Sequence, residues 1–441
     1  MERLTRRELL AWLAAGTATT AAGFTLLPGG GDAASAPSAG PGTTPGVARP
    51  GGSSAPRTTA AGTMPASVTA AEPVRSADGD RLLVVVEMPG GNDGISMVVP
   101  HGVPGYYDVR PQLAIAPGDV HAIDDLVGFH PNLAGVARRG AAAVVGVGSH
   151  EPDGSHFEMM QRWWAGDPRA GSPTTGWVGR LADVLDDRDA LATAVTVGTG
   201  SHPILRSERA ATLAIPGADA AWYLSGAEGG VELAFQRGVA ALGAAGGDGY
   251  AARLAATTGR TVDLAGRLVA GDDEDVDGYP DSELGRSLRF ARELFTLGAG
   301  VRVVHVVMSG DFDTHDGHGD RHPALMQTLD DAVTAFWDDV DASGLAGRVA
   351  LMTTSEFGRT VHENGSLGLD HGAASSMLVM GPVAAGRVGE HPSLTALDDN
   401  DDLVATAGLD QYLGAMVEGW LGVPADEVFP SRPDLLPIPF T

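Results

Sequence analysis

From residue 80 onward the chain alternates between two hydrophobic rhythms. Short, almost unbroken apolar runs recur at Leu82–Glu87 (LLVVVE), Ala142–Val147 (AAVVGV), Ala192–Gly198 (ATAVTVG), Val301–Met308 (VRVVHVVM), Arg348–Thr354 (RVALMTT) and Ser376–Gly381 (SMLVMG). Runs of this length, rich in valine and without polar alternation, are what a sheet buried on both faces requires. Between them the period lengthens. Residues 284–297 and 322–343 carry apolar side chains at helical spacing, the second through Leu325, Leu329, Val333, Phe336, Trp337 and Val340. Strands alternating with helices predict an α/β fold with a mostly parallel central sheet between helices. From about 199 to 300 the strand signal weakens, which predicts a helical lobe or cap. No internal repeat is visible.

The first 75 residues follow neither rhythm. Residues 1–30 place Arg6-Arg7 before an alanine-rich apolar run, the pattern of a twin-arginine signal peptide. This predicts passage through the twin-arginine export machinery to an extracellular, periplasmic or cell-envelope location. Residues 31–75 are mostly Gly, Ala, Ser, Thr and Pro. They cannot bury enough apolar surface to offset the entropy of ordering, and a disordered linker is expected. The folded body is expected over 76–441. No other stretch is apolar over the ~20 residues that a membrane-spanning helix needs, so no transmembrane segment is expected in the mature chain.

Charge narrows the partners. The chain has 29 basic and 56 acidic side chains and a net charge of −27. Residues 1–75 hold six arginines and four acids, so the rest carries −29. Such a surface repels phosphate backbones, which argues against nucleic acid as a partner. Every basic side chain is arginine, which excludes a Walker-type phosphate loop and Schiff-base chemistry. The absence of cysteine excludes thiolate nucleophiles and sulfur-bound metals.

In an open α/β sheet a ligand site forms beyond the carboxyl ends of the strands. Asp93 follows the first strand in GGNDG, and Asp313 and His315 follow the strand at 301–308, with His322 close behind. Glu356 follows the strand at 348–354, and Asp370 and His371 precede the strand at 376–381. Asp, Glu and His without thiols are ligands for a divalent metal such as Zn, Mn, Mg or Ca. Arg359 could grip an anionic substrate oxygen with its fork. Ser96, near the first-strand turn, and Ser155, in Ser155-His156-Phe157, are the candidate nucleophiles. Plainer roles exist for each: Asp93 as a turn or helix cap, Glu356 as a partner of Arg359, Ser155 as a capping serine, and the histidines as solvated side chains. The segment Asp273–Gly278 reads DxDxDG with Asp281 beyond it, but Leu284 stands where a calcium loop needs glutamate. A solvated acidic loop is expected there.

Taken in order, LLVVVEMPGGNDGISMVVP, Arg110-Pro111-Gln112-Leu113, Phe129-His130-Pro131-Asn132-Leu133, Ser155-His156-Phe157, Gly176-Trp177-Val178-Gly179-Arg180, Phe312-Asp313-Thr314-His315, Ser355-Glu356-Phe357-Gly358-Arg359-Thr360 and Asp370-His371-Gly372 resemble the exported bacterial family called domain of unknown function 1501. The resemblance runs from about residue 81 to 425. That family is similar to the alkaline phosphatase and sulfatase superfamily, which implies a mostly parallel sheet with one or two metals at the strand ends. It implies Asp93 as the acidic ligand after the first strand, with Glu87 as a weaker choice. It pairs His315 with Asp311 or Asp313, and makes His371 the last histidine ligand. Where the superfamily has Asp-His-Gly this chain has Glu356-Phe357-Gly358, so one imidazole is absent from the pattern.

Two functions fit these residues. One is an exported metal-dependent hydrolase of phosphate or sulfate esters, with a small anionic or polymeric ester as substrate. The other is a non-catalytic exported binding or surface protein on a hydrolase-like scaffold. The export signal is directly testable. Changing Arg6→Lys and Arg7→Lys keeps the charge but not the guanidinium fork, and should leave the precursor in the cytoplasm of a host with a twin-arginine system. Normal export of the double variant would contradict the signal assignment.

Overall fold

The structure is a computed structural model. It describes residues 80–169, 174–185, 190–216 and 278–441, with a few short pieces between 255 and 264. The signal and linker expected at 1–75 lie outside the described residues, as does most of the DxDxDG segment. Asp281, at its end, pairs with Arg286 at 2.6 Å.

The apolar runs all form strands of one sheet. They are β1 (Leu82–Glu87), β2 (Ala142–Gly148), β3 (Ala194–Val197), β5 (Val303–Val307), β6 (Val349–Thr354) and β7 (Ser375–Met380), joined by the shorter β4 (Thr212–Ile215) and β8 (Gly386–Val388). Across the sheet the order is β8-β2-β7-β6-β1-β5-β3-β4, with Ala407–Gly408 pairing beside β2. All neighbouring pairs are parallel except those made by β7, which runs antiparallel to both β6 and β2. The fold is α/β, with a mostly parallel sheet between helices.

Alternate residues of each strand feed two separate cores, because successive side chains leave a strand on opposite faces. Val84, Val86, Val304, Val306 and Leu351 pack against α3 (Glu283–Thr296) and α4 (His318–Ala342). Leu83, Val85, Val303, Ala350 and Met352 pack against α1 (His156–Ala165), α2 (Trp177–Val184) and the helical segment at 409–420. A strand buried on both faces has no polar side to show. Its sequence is therefore continuous valine and leucine rather than alternation.

Of the expected helical lobe at 199–300, residues 217–254 and most of those to 277 lie outside the described residues. At either end of that stretch the chain belongs to the main body: β4 closes one edge of the sheet, and α3 packs on α4. Among the described residues no helix is long and apolar enough to cross a membrane.

The reversal of β7 positions the site. The carboxyl ends of β1, β2, β5 and β6 lie at one edge, and the amino end of β7 lies there with them. Residues that follow the first four strands therefore meet residues that precede the fifth.

Candidate metal centre

Four side chains converge at that edge: His156 from the first turn of α1, Asp313 and His315 from the loop after β5, and His371 from the loop before β7. His156, Asp313 and His371 hold donor atoms that all lie within 4.8 Å of one another. His371 Nε2 stands 3.0 Å from Nε2 of His156 and 3.0 Å from Nε2 of His315. Asp313 Oδ1 lies 3.2 Å from His371 Nε2 and 3.0 Å from His315 Nε2.

The outward nitrogens identify the tautomers. His371 Nδ1 is 2.8 Å from the Gly154 carbonyl, His315 Nδ1 is 2.8 Å from Asp370 Oδ1, and His156 Nδ1 is 2.7 Å from Glu356 Oε1. A carbonyl or carboxylate oxygen only accepts, so each Nδ1 carries a proton, and in the neutral form of each ring the Nε2 lone pair faces inward. The Nε2 atoms of His156 and His315 each face His371 Nε2 at 3.0 Å, with Asp313 oxygens 3.0–3.7 Å from the three imidazoles, and a single proton bridges only one such pair. A divalent cation placed among them would be met by donor atoms of His156, Asp313 and His371, with His315 Nε2 close to the last two. Imidazoles whose far nitrogens donate to oxygen acceptors, together with one carboxylate, are a donor set suited to zinc-type coordination.

The surroundings hold this geometry. Arg359 is fully buried and donates from Nε to the Gly91 carbonyl at 2.7 Å, from Nη1 to the Leu369 carbonyl at 3.2 Å, and from Nη2 to the Gly90 carbonyl and to Asp313 Oδ1, the last at 2.6 Å. Against the upward push of partial burial, this guanidinium holds the Asp313 carboxyl below its ordinary range. Glu356 Oε1 also accepts from Gly90 N at 2.8 Å, while its backbone carbonyl accepts from Trp163 Nε1 at 2.9 Å. Glu356 thus grips α1 at both ends. The ring of Phe357 lies 4.7 Å from that of His156 and 4.9 Å from that of His371. Gly91 permits this: a Cβ there would stand 2.3 Å from the Phe357 ring. Position 357 thus holds a phenyl ring packed against two imidazoles, and His156 joins the cluster from a different element.

Several sequence expectations need correction. Asp313, His315 and His371 do come together, but Glu356 and Asp370 stand behind the imidazoles, accepting from their Nδ1 atoms. Arg359 is fully buried with each of its nitrogens on protein oxygens, so it does not face a substrate. Asp93 immediately precedes the short helix Gly94–Met97 and lies buried against Arg110, with Nη1 at 2.5 Å and Nη2 at 3.0 Å. Despite burial, Arg110 and His318 hold its carboxyl well below the ordinary range. Removing either partner of such a buried pair costs about 3–5 kcal/mol, so Asp93, outside the cluster, contributes to stability where it stands. Ser96 is buried beside it, its Oγ accepting from Arg110 at 3.0 Å. His322, also buried, donates from Nε2 to Asn92 Oδ1 at 3.1 Å and stacks on His318. Burial drives its pKa well down. Asp311 pairs with Arg321 at 2.7 Å, outside the cluster. Ser155 is the residue before α1, and its hydroxyl makes no capping bond. The Ser155-His156-Phe157 segment belongs to the site through its histidine.

A second group has metal-like spacing: Glu87, His202 and His305, all buried. Neither histidine belongs to a motif visible in the sequence, although His305 interrupts an otherwise apolar strand. Here the tautomers run the other way. His202 Nδ1 accepts the backbone N–H of Ile204 at 3.4 Å, so its Nε2 carries the proton facing Glu87 Oε2 at 3.4 Å. His305 Nε2 lies 2.8 Å from the same oxygen, and Thr196 Oγ1 lies 2.7 Å from its Nδ1, which the hydroxyl can satisfy by donating. Trp164 Nε1 donates to both oxygens of Glu87 at 3.1 and 3.2 Å. The group is complete as a hydrogen-bonded cluster around one carboxylate. Burial pushes that carboxyl up, but the two imidazoles and the indole bring it down to about 2.

Residues 254–407 match the model of a family described as proteins of unknown function, DUF1501. The match includes Asp313, His315, Glu356, Asp370 and His371, but not His156. No curated protein matches the sequence. Among solved structures, the zinc complex of the C-terminal periplasmic domain of EcEptC from Escherichia coli is 10% identical with a TM-score of 0.39, covering 82% of this chain and 88% of that one. The lipoteichoic acid synthase LtaP from Listeria monocytogenes is 9% identical with a TM-score of 0.38, covering 83% and 79%. A protein in the alkaline phosphatase superfamily from Vibrio parahaemolyticus is 10% identical with a TM-score of 0.34, covering 78% and 67%. Scores this low carry no argument about fold or chemistry, which rest on the chain's own strands and side chains.

Two outcomes follow. Elemental analysis should find one divalent ion per chain, and His371→Ala should lower its affinity by at least about tenfold, the lower range for damage to a metal's support. Two ions per chain, or full affinity in the variant, would contradict the assignment. Glu87 has an ordinary pKa of 4.5 and a folded value of about 2, so the stability it contributes is present above 4.5 and is lost as pH falls toward 2. Glu87→Gln should therefore cost about 3 kcal/mol at pH 7 and flatten the acid limb of the stability profile across that window. An unchanged acid limb would show that the carboxylate is not so held.

Proposed function

We propose that the protein is an exported metal-dependent hydrolase of phosphate or sulfate esters, alkaline phosphatase-like in build, with water as the nucleophile. The observation that carries the reading is the inward turn of three Nε2 lone pairs onto Asp313, at a point open to solvent: the side chains of His315 and Asp313 are 44% and 36% exposed. A divalent ion held by His156, Asp313, His315 and His371 would supply positive charge that lowers the pKa of water and polarises an ester oxygen. The chain's own residues do the rest. Asp370 and Glu356 keep the protons of His315 and His156 on Nδ1, so both rings stay oriented as donors. Arg359 fixes the direction of Asp313. Ser96 is sealed beside Arg110, and the Ser155 hydroxyl makes no hydrogen bond to any member of the cluster, which is why water is the nucleophile proposed.

The test is ester hydrolysis by the full chain before and after chelation. Hydrolysis of nitrophenyl phosphate or sulfate esters should vanish with the metal and return on reloading. Replacing His371 by Ala should abolish it, and Ser155→Ala should retain it within about threefold, since water attack needs no hydroxyl there. Loss of activity in Ser155→Ala with metal still bound would make Ser155 the nucleophile. Full metal content with no hydrolysis of any ester would favour the non-catalytic binding protein.

A further inference from the structure

We infer that the ester taken by this centre carries a single negative charge and an apolar group, and that the apolar group lies against Phe157 and Leu367. The inference rests on the hydrolase reading above and narrows its substrate class.

Charge is the first ground. A doubly positive ion would sit on Asp313, with Glu356 and Asp370 one bond behind it on His156 and His315. Arg359, 2.6 Å from Asp313, returns one positive charge. The loaded centre is then close to neutral. Arg321 is the other guanidinium that touches these loops, and it is taken up by Asp311 at 2.7 Å and Asp316 at 3.2 Å. No unpaired cation adjoins the cluster among the described residues. A dianion would enter a site with little net charge to receive it, whereas a monoanion loses much less on leaving water.

Exposure and strain are the second ground. Three large hydrophobic side chains are exposed among the described residues; one is the neighbour of His156 in the chain and another stands on a loop bonded to His315 and Asp370. Phe157 directly follows His156 and is 81% exposed. Leu367 is 43% exposed and adopts φ 55°, a left-handed backbone that a leucine rarely accepts. Its loop is tied to the cluster. Asn364 accepts from the backbone of Ser366 and Gly368 at 2.9 and 3.0 Å and donates to the His315 carbonyl at 3.0 Å and to Asp370 Oδ1 at 3.3 Å. Gly368 lies so close to His315 that a Cβ would stand 2.1 Å from its backbone. Single exposed apolar side chains are ordinary on a protein surface. A strained one, on a loop bonded to the metal-side residues, is the kind of outlier from which a functional contact is inferred.

The test compares para-nitrophenyl phosphate, its methyl ester and bis(para-nitrophenyl) phosphate with the metal-loaded full chain at pH 8. The first is a dianion there, since the second phosphate pKa is about 6; the two diesters are monoanions. Both diesters should exceed the monoester in kcat/KM by at least about tenfold. Phe157→Ser should raise KM for the bis ester by about tenfold, the scale expected once an aromatic ring no longer covers the substrate's apolar group, with kcat and metal content unchanged. Leu367→Gly should raise KM as well while raising Tm, because glycine accepts the positive φ; a purely structural leucine would give a lower Tm and an unchanged KM. Faster turnover of the dianion, or wild-type KM in both variants, would overturn the inference. Hydrolysis of none of the three, nor of para-nitrophenyl sulfate, with metal bound would overturn the hydrolase reading itself, and this inference with it.

Discussion

One buried guanidinium ties the site together. Arg359 is almost wholly shielded from solvent, yet it reaches the loop after β1 through the carbonyls of Gly90 and Gly91, the loop after β5 through Phe312 and Asp313, and the loop before β7 through Leu369. These loops have little regular structure of their own. Their relative placement depends on a cation that each of them partly solvates. Because a guanidinium is planar and always charged, it fixes direction as well as distance, which an ammonium would not. The same group also keeps Asp313 ionised, ready to meet a metal. Arg359 is therefore a positioning residue and not the substrate clamp that its place in the sequence suggests.

The two histidine clusters show why spacing alone does not identify a metal site. Both gather three ligand-type side chains within 4.8 Å. What separates them is where the protons must be. At His156, His315 and His371 the outer nitrogens face oxygens, leaving lone pairs directed at one another. At His202 the outer nitrogen faces a backbone N–H, so the proton is already inside, pointing at Glu87. The first arrangement calls for a cation or added protons at its centre; the second is satisfied as it stands. The second nonetheless serves the first, since Trp164 hangs from Glu87 and Trp163 from the Glu356 carbonyl, and both indoles belong to the helix that presents His156.

Much of the fold is legible in the sequence because doubly buried strands leave a distinctive trace. The runs at 82–87, 142–147 and 348–354 form strands within a residue of their expected ends. Helix α4 begins at His318 rather than 322, since the turn before the apolar stripe is polar and leaves no periodic signal. The site is legible in part. Asp313, His315 and His371 stand out because strand ends concentrate ligand sites. Asp93 and Ser96 mislead for the same reason: they also follow a strand, but their loop turns inward to Arg110, and nothing in GGNDG reveals a partner seventeen residues away. In Ser155-His156-Phe157 the sequence does not say that the histidine, rather than the serine, enters the site. The direction of a helix's first turn, which aims one residue and not its neighbour into the cleft, is set by tertiary packing of Trp163 and Trp164.

The central claim is that a cation belongs among three inward-facing imidazoles and one carboxylate. Anomalous diffraction from crystals of the zinc-loaded protein, collected above and below the zinc absorption edge, tests it most directly. One strong difference peak should lie enclosed by the Nε2 atoms of His156, His315 and His371 and by Asp313, with none beside Glu87. The absence of a peak at that position, or a peak at Glu87, His202 and His305 instead, would contradict the account.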